Sequence, residues 1–344
     1  MRFPLPGEKV KHAEPNNPFQ KIRFHLQKHP YVCQNSFGKL SSWLKFNKRT
    51  VKKLQVEIES LLIGHDNSLY ALAESDEFIF TGGSGHLIAA WPKKNIEDKF
   101  ALAKIEQPVY QFKTFKDRLY IGQTNGALMI IDCQSKQIEH NIKLHEKPIF
   151  DILIEKNFLL TLGGDGVLKI LDTNLQLYQS ITVSNKSLRQ GVITDNFLWI
   201  ASSDGCLIKI NLDDFSIQEK YPLHQKSVFA IAITENFIVS AGRDACMIIQ
   251  DKNSEEVIHK IPAHQSTINA LAINKEKSLL ASASKDKTIK IWDTQTWQLL
   301  KVINYEKYGY HSNSVNKIIW LDDHKSLISI SDDRLGVIWK IQSI

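Results

Sequence analysis

The segment AHQSTINALAINKEKSLLASASKDKTIKIWD, from Ala263 to Asp293, is the clearest copy of a repeat that recurs through most of the chain. It has His264 near its start, an acidic turn residue at Asp286 and a Trp-Asp pair at its end. The residues aligned with Asp286 are 40, 40, 39, 40, 42 and 47 residues apart, and they are Gly85, Asn125, Asp165, Asp204, Asp244, Asp286 and Asp333. A fixed period of this length, built from short strands, predicts a radial repeat architecture with four strands in each unit.

The strand pattern within each copy supports this prediction. Alternation of period two is visible in Val228–Ile233 and again in Thr288–Trp292. These segments are the first strand of one unit and the third strand of the next. In each unit a second strand that ends in small residues lies between the first and the third, and Asp, Asn, Lys and Gly occupy the connecting turns. The repeat is therefore a set of short antiparallel strands joined by tight turns.

These features resemble the WD-repeat β-propeller family over about residues 54–344. Seven units fit, and they begin near His65, Ile105, His145, Ser184, His224, His264 and His311. The resemblance implies an all-β, seven-bladed propeller of four-stranded blades. The last unit ends after its third strand, and the segment Leu54–Leu62 has the alternation to supply the missing outer one. We therefore expect the ring to close by pairing this N-terminal strand with the last blade, which removes an open sheet edge.

The same resemblance implies a buried hydrogen-bonded tetrad of His, Ser or Thr, Asp and Trp in each blade. Two units have all four residues, and these structural tetrads are His264, Ser282, Asp286 and Trp292, then His311, Ser329, Asp333 and Trp339. The other units have incomplete sets. We interpret the tetrads as structural, because buried polar groups normally satisfy one another and the His residues of different blades are too far apart to share a metal ion.

A second periodic set suggests a binding surface. Near the start of each innermost strand the seven units have Tyr70, Tyr110, Phe150, Arg189, Phe229, Asn269 and Asn316. In propellers that resemble this chain, that position lies at the mouth of the central channel, where partners dock. Aromatic residues and Arg dominate binding hot spots, so we predict that Tyr70, Tyr110, Phe150, Arg189 and Phe229 contact a partner. The alternative is that these side chains only wedge between neighbouring blades.

The residue before each turn acid is expected on the same face. This set contains Arg243 and Lys285 in adjacent units, and we predict both as further partner contacts. An acidic peptide, or one that presents its C-terminal carboxylate, would suit a surface of this charge.

Residues 1–53 do not fit the repeat and form a predicted basic N-terminal extension. They contain twelve Lys and Arg against Glu8 and Glu14, whereas the whole chain has a net charge of +6, so residues 54–344 are mildly acidic. Aromatic residues alternate with the cations, a composition that can bind single-stranded nucleic acid or an anionic membrane surface. The simpler interpretation, which we prefer, is that its apolar residues dock against the propeller flank while the lysines stay solvated, or that the extension is disordered.

The sequence carries no enzyme signature of the HExxH, GxSxG, P-loop or GxGxxG kind, so we expect no catalytic residues and no cofactor. The four cysteines have no CxxC spacing, which argues against a metal site or a disulfide. No apolar run is long enough to cross a bilayer, and no secretory signal precedes the repeats. We therefore predict an intracellular, cytoplasmic adaptor, a monomeric propeller within a larger complex, that binds a protein or peptide at the channel mouth. The alternative is a nucleic-acid or ribonucleoprotein adaptor that uses the basic arm.

Overall fold

The computed structural model describes residues 53–274, 276 and 278–343. In this part of the chain, 28 strands form seven antiparallel sheets of four strands each. The predicted seven-bladed, all-β propeller is confirmed. The predictions for the basic extension concern residues 1–53, of which all but Lys53 lie outside the described residues.

The first strand, β1 (Leu54–Leu62), precedes three complete blades. Blade one contains β2 (Leu69–Glu74), β3 (Phe78–Gly83), β4 (Leu87–Pro92) and β5 (Phe100–Lys104), with a 3₁₀ turn at Ile96–Asp98. Blade two contains β6 (Val109–Phe115), β7 (Arg118–Gln123), β8 (Ala127–Asp132) and β9 (Ile138–Lys143). Blade three contains β10 (Ile149–Glu155), β11 (Phe158–Gly163), β12 (Val167–Leu171) and β13 (Leu177–Thr182).

Three further blades and the closing blade follow. Blade four contains β14 (Leu188–Thr194), β15 (Phe197–Ser202), β16 (Cys206–Asn211) and β17 (Ile217–Pro222). Blade five contains β18 (Val228–Ile233), β19 (Phe237–Gly242), β20 (Cys246–Asp251) and β21 (Val257–Pro262). Blade six contains β22 (Ile268–Asn274), β23 (Leu279–Ser284), β24 (Ile289–Asp293) and β25 (Leu299–Ile303). After a short helix, α1 (Tyr305–Tyr308), blade seven contains β26 (Val315–Trp320), β27 (Ser326–Ser331) and β28 (Gly336–Ser343), with β1 as its outer strand.

The ring closes as the sequence predicts. Strand β1 pairs antiparallel with β28 from Leu54 opposite Ser343 to Leu62 opposite Gly336. The side chain of Leu62 is fully buried and fills the space beside Gly336, where an added Cβ would lie 2.9 Å from the Leu62 Cδ1 atom. Both ends of the propeller are therefore held in one blade.

The hydrophobic core lies between the blades. The described residues form seven apolar clusters, and each cluster joins two neighbouring blades. At the junction of blades seven and one, for example, Leu62, Trp91 and Ile330 pack together, all at most 1% exposed. Burying one large apolar side chain stabilises the fold by about 1.5–3 kcal/mol, so each blade is stable largely through its neighbours.

Candidate functional site

The seven innermost strands share one backbone irregularity. In each strand the pairing register shifts between the first and third residues, which leaves one bulged residue. The bulged residues are the periodic set found in the sequence, here called the mouth ring: Tyr70, Tyr110, Phe150, Arg189, Phe229, Asn269 and Asn316. A β-bulge removes a residue from the pairing pattern and re-aims its side chain. The bulges themselves were not visible in the sequence.

All seven mouth-ring side chains are half-buried and line one cavity of about 680 Å³. Residues from the seven innermost strands line this cavity, which is the central channel of the propeller. The ring therefore lies at the channel mouth, at the end where the innermost strands begin.

Five mouth-ring residues contact one another across adjacent blades. The ring centroids of Tyr70 and Tyr110 are 5.4 Å apart, and those of Tyr110 and Phe150 are 5.3 Å apart. The Arg189 guanidinium lies over the Phe150 ring at 4.1 Å and over the Phe229 ring at 4.6 Å, both measured to the centroid. Aromatic and cation–π contacts of this kind favour fixed side-chain positions. The five residues form a continuous ladder along one side of the mouth.

Arg189 is the charged member of the ladder. Its Nε atom donates a hydrogen bond to Ser203 Oγ at 2.9 Å. Burial lowers the pKa of the guanidinium, and no carboxylate among the described residues forms an ion pair with it. A desolvated cation without an opposite charge favours binding of an anion.

The two amide residues of the ring bind their own protein instead. Asn269 Nδ2 donates to Ser314 Oγ at 3.0 Å and to the Val315 carbonyl at 2.8 Å. Asn316 Nδ2 donates to the Leu69 carbonyl at 2.9 Å and to Asp332 Oδ1 at 2.8 Å. The two asparagines therefore form hydrogen bonds between neighbouring blades, whereas, among the described residues, the polar groups of the tyrosines and the arginine do not.

The turns between second and third strands lie on the same face as the mouth ring. The contacts of Ser203 with Arg189 and of Asp332 with Asn316 establish this placement. The corresponding residues in blades five and six are Arg243 and Lys285, and both are exposed. Neither forms an ion pair with any other described residue.

Three exposed lysines of this face were not identified from the sequence. Lys147, Lys186 and Lys226 occupy the same loop position in blades three, four and five. A Cβ added to Gly164 would lie 3.1 Å from both Lys147 Cβ and Phe150 Cε2, so this loop borders the ring. The sequence does contain a signal for them, because each lysine follows the His position of its unit by two residues. With Arg243 and Lys285 they form a surface that we call the basic arc.

A polar network below the ring was also not identified. Lys317 Nζ donates to Gln111 Oε1 at 2.7 Å, and Gln111 Nε2 donates to Asp151 Oδ1 at 2.6 Å. The other carboxylate oxygen of Asp151 accepts the Gly191 N–H at 2.8 Å. Burial raises the pKa of Asp151 and lowers the pKa of Lys317. The network links blades seven, two, three and four and stabilises the wall of the channel.

The tetrads fix the turns beside the ring. In blade six, His264 Nε2 and Ser282 Oγ are 2.7 Å apart, Trp292 Nε1 donates to Ser282 Oγ at 2.9 Å, and His264 Nδ1 lies 2.9 Å from Asp286 Oδ2. In blade seven the corresponding links run from Trp339 to Ser329 at 2.7 Å, from Ser329 to His311 at 2.6 Å and from His311 to Asp333 at 3.4 Å. These contacts hold the turns that carry Lys285 and Asp332.

Comparison with known proteins agrees with this architecture. The family model for the WD domain, G-beta repeat, matches residues 255–293, which contain the last strand of blade five and the first three strands of blade six. The chain is a seven-bladed β-propeller in which residues 255–293 match the WD repeat. The propeller is similar to the solved WD40 β-propeller domain of Doa1, with a TM-score of 0.73 and 15% sequence identity over 83% of this chain and 97% of that chain. A search of curated proteins finds no relative by sequence.

Propellers with WD repeats generally serve as non-enzymatic scaffolds for protein interactions. Among the residues that the structure describes, no helix is long and apolar enough to span a membrane. Within the same residues, no group of three or more His, Cys, Asp or Glu side chains could hold a metal ion.

Proposed function

We propose that this protein is a non-catalytic scaffold or adaptor that binds a protein or peptide on the channel-mouth face. The observation that carries the proposal is the ladder of Tyr70, Tyr110, Phe150, Arg189 and Phe229 on five consecutive bulges. Arg243 and Lys285 are the secondary contacts. No catalytic role is assigned to any residue.

The physical basis is preorganisation. Each ladder residue is held by its neighbours on rigid strands, so binding a partner orders few additional side chains. Tyr and Arg are enriched among hot-spot residues, and truncating one buried anchor costs about 2 kcal/mol or more. The alternative, that the ladder only wedges blades together, predicts a loss of stability without a loss of binding.

The experiment is a quantitative pull-down from the native cell extract with the full chain and a Tyr70→Ala/Tyr110→Ala/Phe150→Ala variant. The proposal predicts that the variant keeps its circular dichroism spectrum and loses a protein partner. Phe115→Ala is the matched control, because Phe115 is a 42% exposed aromatic residue at the other end of an innermost strand. Retention of every partner by the folded triple variant would refute the proposal.

A form of the chain without residues 1–53 separates the two candidate functions. If only this truncation loses its cargo, and the cargo is sensitive to nuclease, the basic arm rather than the channel mouth defines the function. We propose residues 54–344 as the propeller domain and a monomeric propeller within a larger complex. We also propose a cytoplasmic location, which the free thiols of Cys133, Cys206 and Cys246 support.

A further inference from the structure

We infer that the partner segment bound at the channel mouth is acidic, and that one of its carboxylates pairs with the guanidinium of Arg189. This inference rests on the proposed function, because it specifies the chemistry of the partner for the same face. It is carried by two independent features, the unneutralised cation inside the ring and the basic arc around it.

The first feature is the chemistry of Arg189. Its guanidinium lies between the rings of Phe150 and Phe229, and Ser203 Oγ accepts from Nε. The described residues supply no hydrogen-bond acceptor to its two terminal nitrogens. A carboxylate accepts two parallel hydrogen bonds from a guanidinium and neutralises its charge, so it is the complementary group.

The second feature is the asymmetry of charge around the mouth. Blades three to six carry the basic arc: Lys147, Lys186, Lys226, Arg243 and Lys285. The loops of this face in blades seven, one and two contain Asp332, Asp66 and Glu106, and the turn of blade seven also contains the exposed Arg334. A segment that crosses the mouth over blades three to six therefore meets positive charge.

The acidic residues within the arc do not cancel this charge at the surface. The turn acids Asp165, Asp244 and Asp286 have side chains only 9–15% exposed, and each lies beside the His of its own tetrad. Asp204 similarly accepts from Ser184 Oγ at 2.8 Å. Glu146 is an exposed acid beside Lys147. The outermost groups of the arc are thus mainly ammonium and guanidinium groups.

The geometry favours a peptide over a nucleic acid as the acidic partner. Single-stranded nucleic acids bind by stacking bases on free aromatic faces. In the ladder, Arg189 covers Phe150 and Phe229, while Tyr110 contacts both Tyr70 and Phe150. The aromatic side chains therefore present edges and partial faces, which suit aliphatic side chains and the peptide backbone.

The test uses the purified full chain and a fluorescein-labelled peptide that alternates Glu and Ser, with binding measured by anisotropy. Arg189→Gln should weaken binding by about thirty-fold or more, because it removes a partner of a partly buried charge pair. Arg189→Lys keeps the charge without the planar fork and should give an intermediate affinity. The same peptide with Gln in place of Glu should bind far more weakly than the acidic one.

Two exposed positions keep the test valid if substitution of Arg189 disturbs folding. The Lys186→Gln/Lys226→Gln variant changes side chains that lie in solvent and should weaken binding by several-fold, more at low salt than at high salt. Lys94→Gln is the control, because Lys94 is exposed, forms no ion pair with any other described residue and lies beyond the far end of β4. It should leave the affinity unchanged.

Equal binding of the Glu and Gln peptides would overturn the inference. Unchanged binding of the Glu peptide by both the Arg189→Gln variant and the Lys186→Gln/Lys226→Gln variant would also overturn it. The inference would also fall if a phosphoserine peptide or an RNA oligonucleotide bound more tightly than the Glu peptide and the same variants abolished that binding. If the acidic peptide fails to bind while the triple aromatic variant still loses a protein partner from extract, the proposed function stands and only the inference on charge falls.

Discussion

At the scale of single residues, the turns beside the channel mouth depend on local backbone geometry. Gly166 follows the turn acid of blade three with φ of 83°, in the left-handed region that favours glycine. A Cβ at this position would lie 2.0 Å from the Ser184 carbonyl oxygen. A side chain at 166 would therefore force the turn that presents Gly164 beside Phe150, or the Ser184 backbone, to shift.

We predict that Gly166→Ala lowers the free energy of unfolding by about 1–3 kcal/mol, measured by urea denaturation. Gly309→Ala is the matched control, because Gly309 has φ of 76° but no heavy atom of a described residue lies within 4 Å of an added Cβ. Gly309→Ala introduces only the backbone strain, so it should lower the free energy of unfolding clearly less than Gly166→Ala does. Equal losses in both variants would show that the contact with Ser184 has no effect.

The mouth ring was predictable from the sequence as a set of residues, but its contacts were not. The forty-residue spacing identified Tyr110, Phe150 and Arg189 as one set, because a repeat places equivalent residues at equivalent positions. It did not show that Arg189 lies between Phe150 and Phe229, because that contact joins three blades and depends on the bulges. The lysines at 147, 186 and 226 have the same spacing, but they lie in loops, where no alternating strand pattern drew attention to them.

At the scale of strands, β1 determines whether the ring is closed. Alternation in Leu54–Leu62 and the short final unit were sufficient to predict its pairing with β28. The pairing register was not predictable in the same way, because it includes an irregularity between Ile58 and Ser60. The buried end of the strand, at Leu62, contacts the core between blades seven and one.

We predict that Leu62→Ala lowers the free energy of unfolding by about 2–5 kcal/mol, since it leaves a cavity at a fully buried position. Ile63→Ala, one residue further along, serves as the comparison because Ile63 is 53% exposed, and it should change stability by less than about 0.5 kcal/mol. Thermal or urea unfolding measures both. A small effect of Leu62→Ala would mean that the closing strand contributes little to the ring.

At the scale of the whole molecule, buried histidines connect stability to pH. Burial lowers the pKa of His65, His145, His224 and His264 below the usual value of 6.5, against the opposing effect of nearby carboxylates. Below pH 6.5 the unfolded chain binds protons at these residues while the folded chain remains neutral, so protonation favours unfolding. Above that pH both states are neutral, and these groups give no pH dependence.

We therefore predict that the contribution of these histidines to the free energy of unfolding is constant near pH 7–8 and falls as the pH drops through 6.5 towards 5. Urea denaturation at a series of pH values measures this change. His145→Gln should show a shallower decrease than the unaltered chain, because one of the four groups no longer titrates. Stability that rises as the pH falls below 6.5 would contradict the assignment of neutral buried histidines.

Site-specific photo-cross-linking in native cell extract tests most directly whether a partner binds at the channel mouth. A benzophenone amino acid is placed at Arg243 or Lys285 on the channel-mouth face, at Phe115 on the opposite face, or at Tyr178 on an outer strand. All four side chains are exposed in the structure. We predict that Arg243 and Lys285 cross-link a common protein and that Phe115 and Tyr178 do not. Cross-links to that protein from Phe115 or Tyr178, with none from the channel mouth, would contradict it.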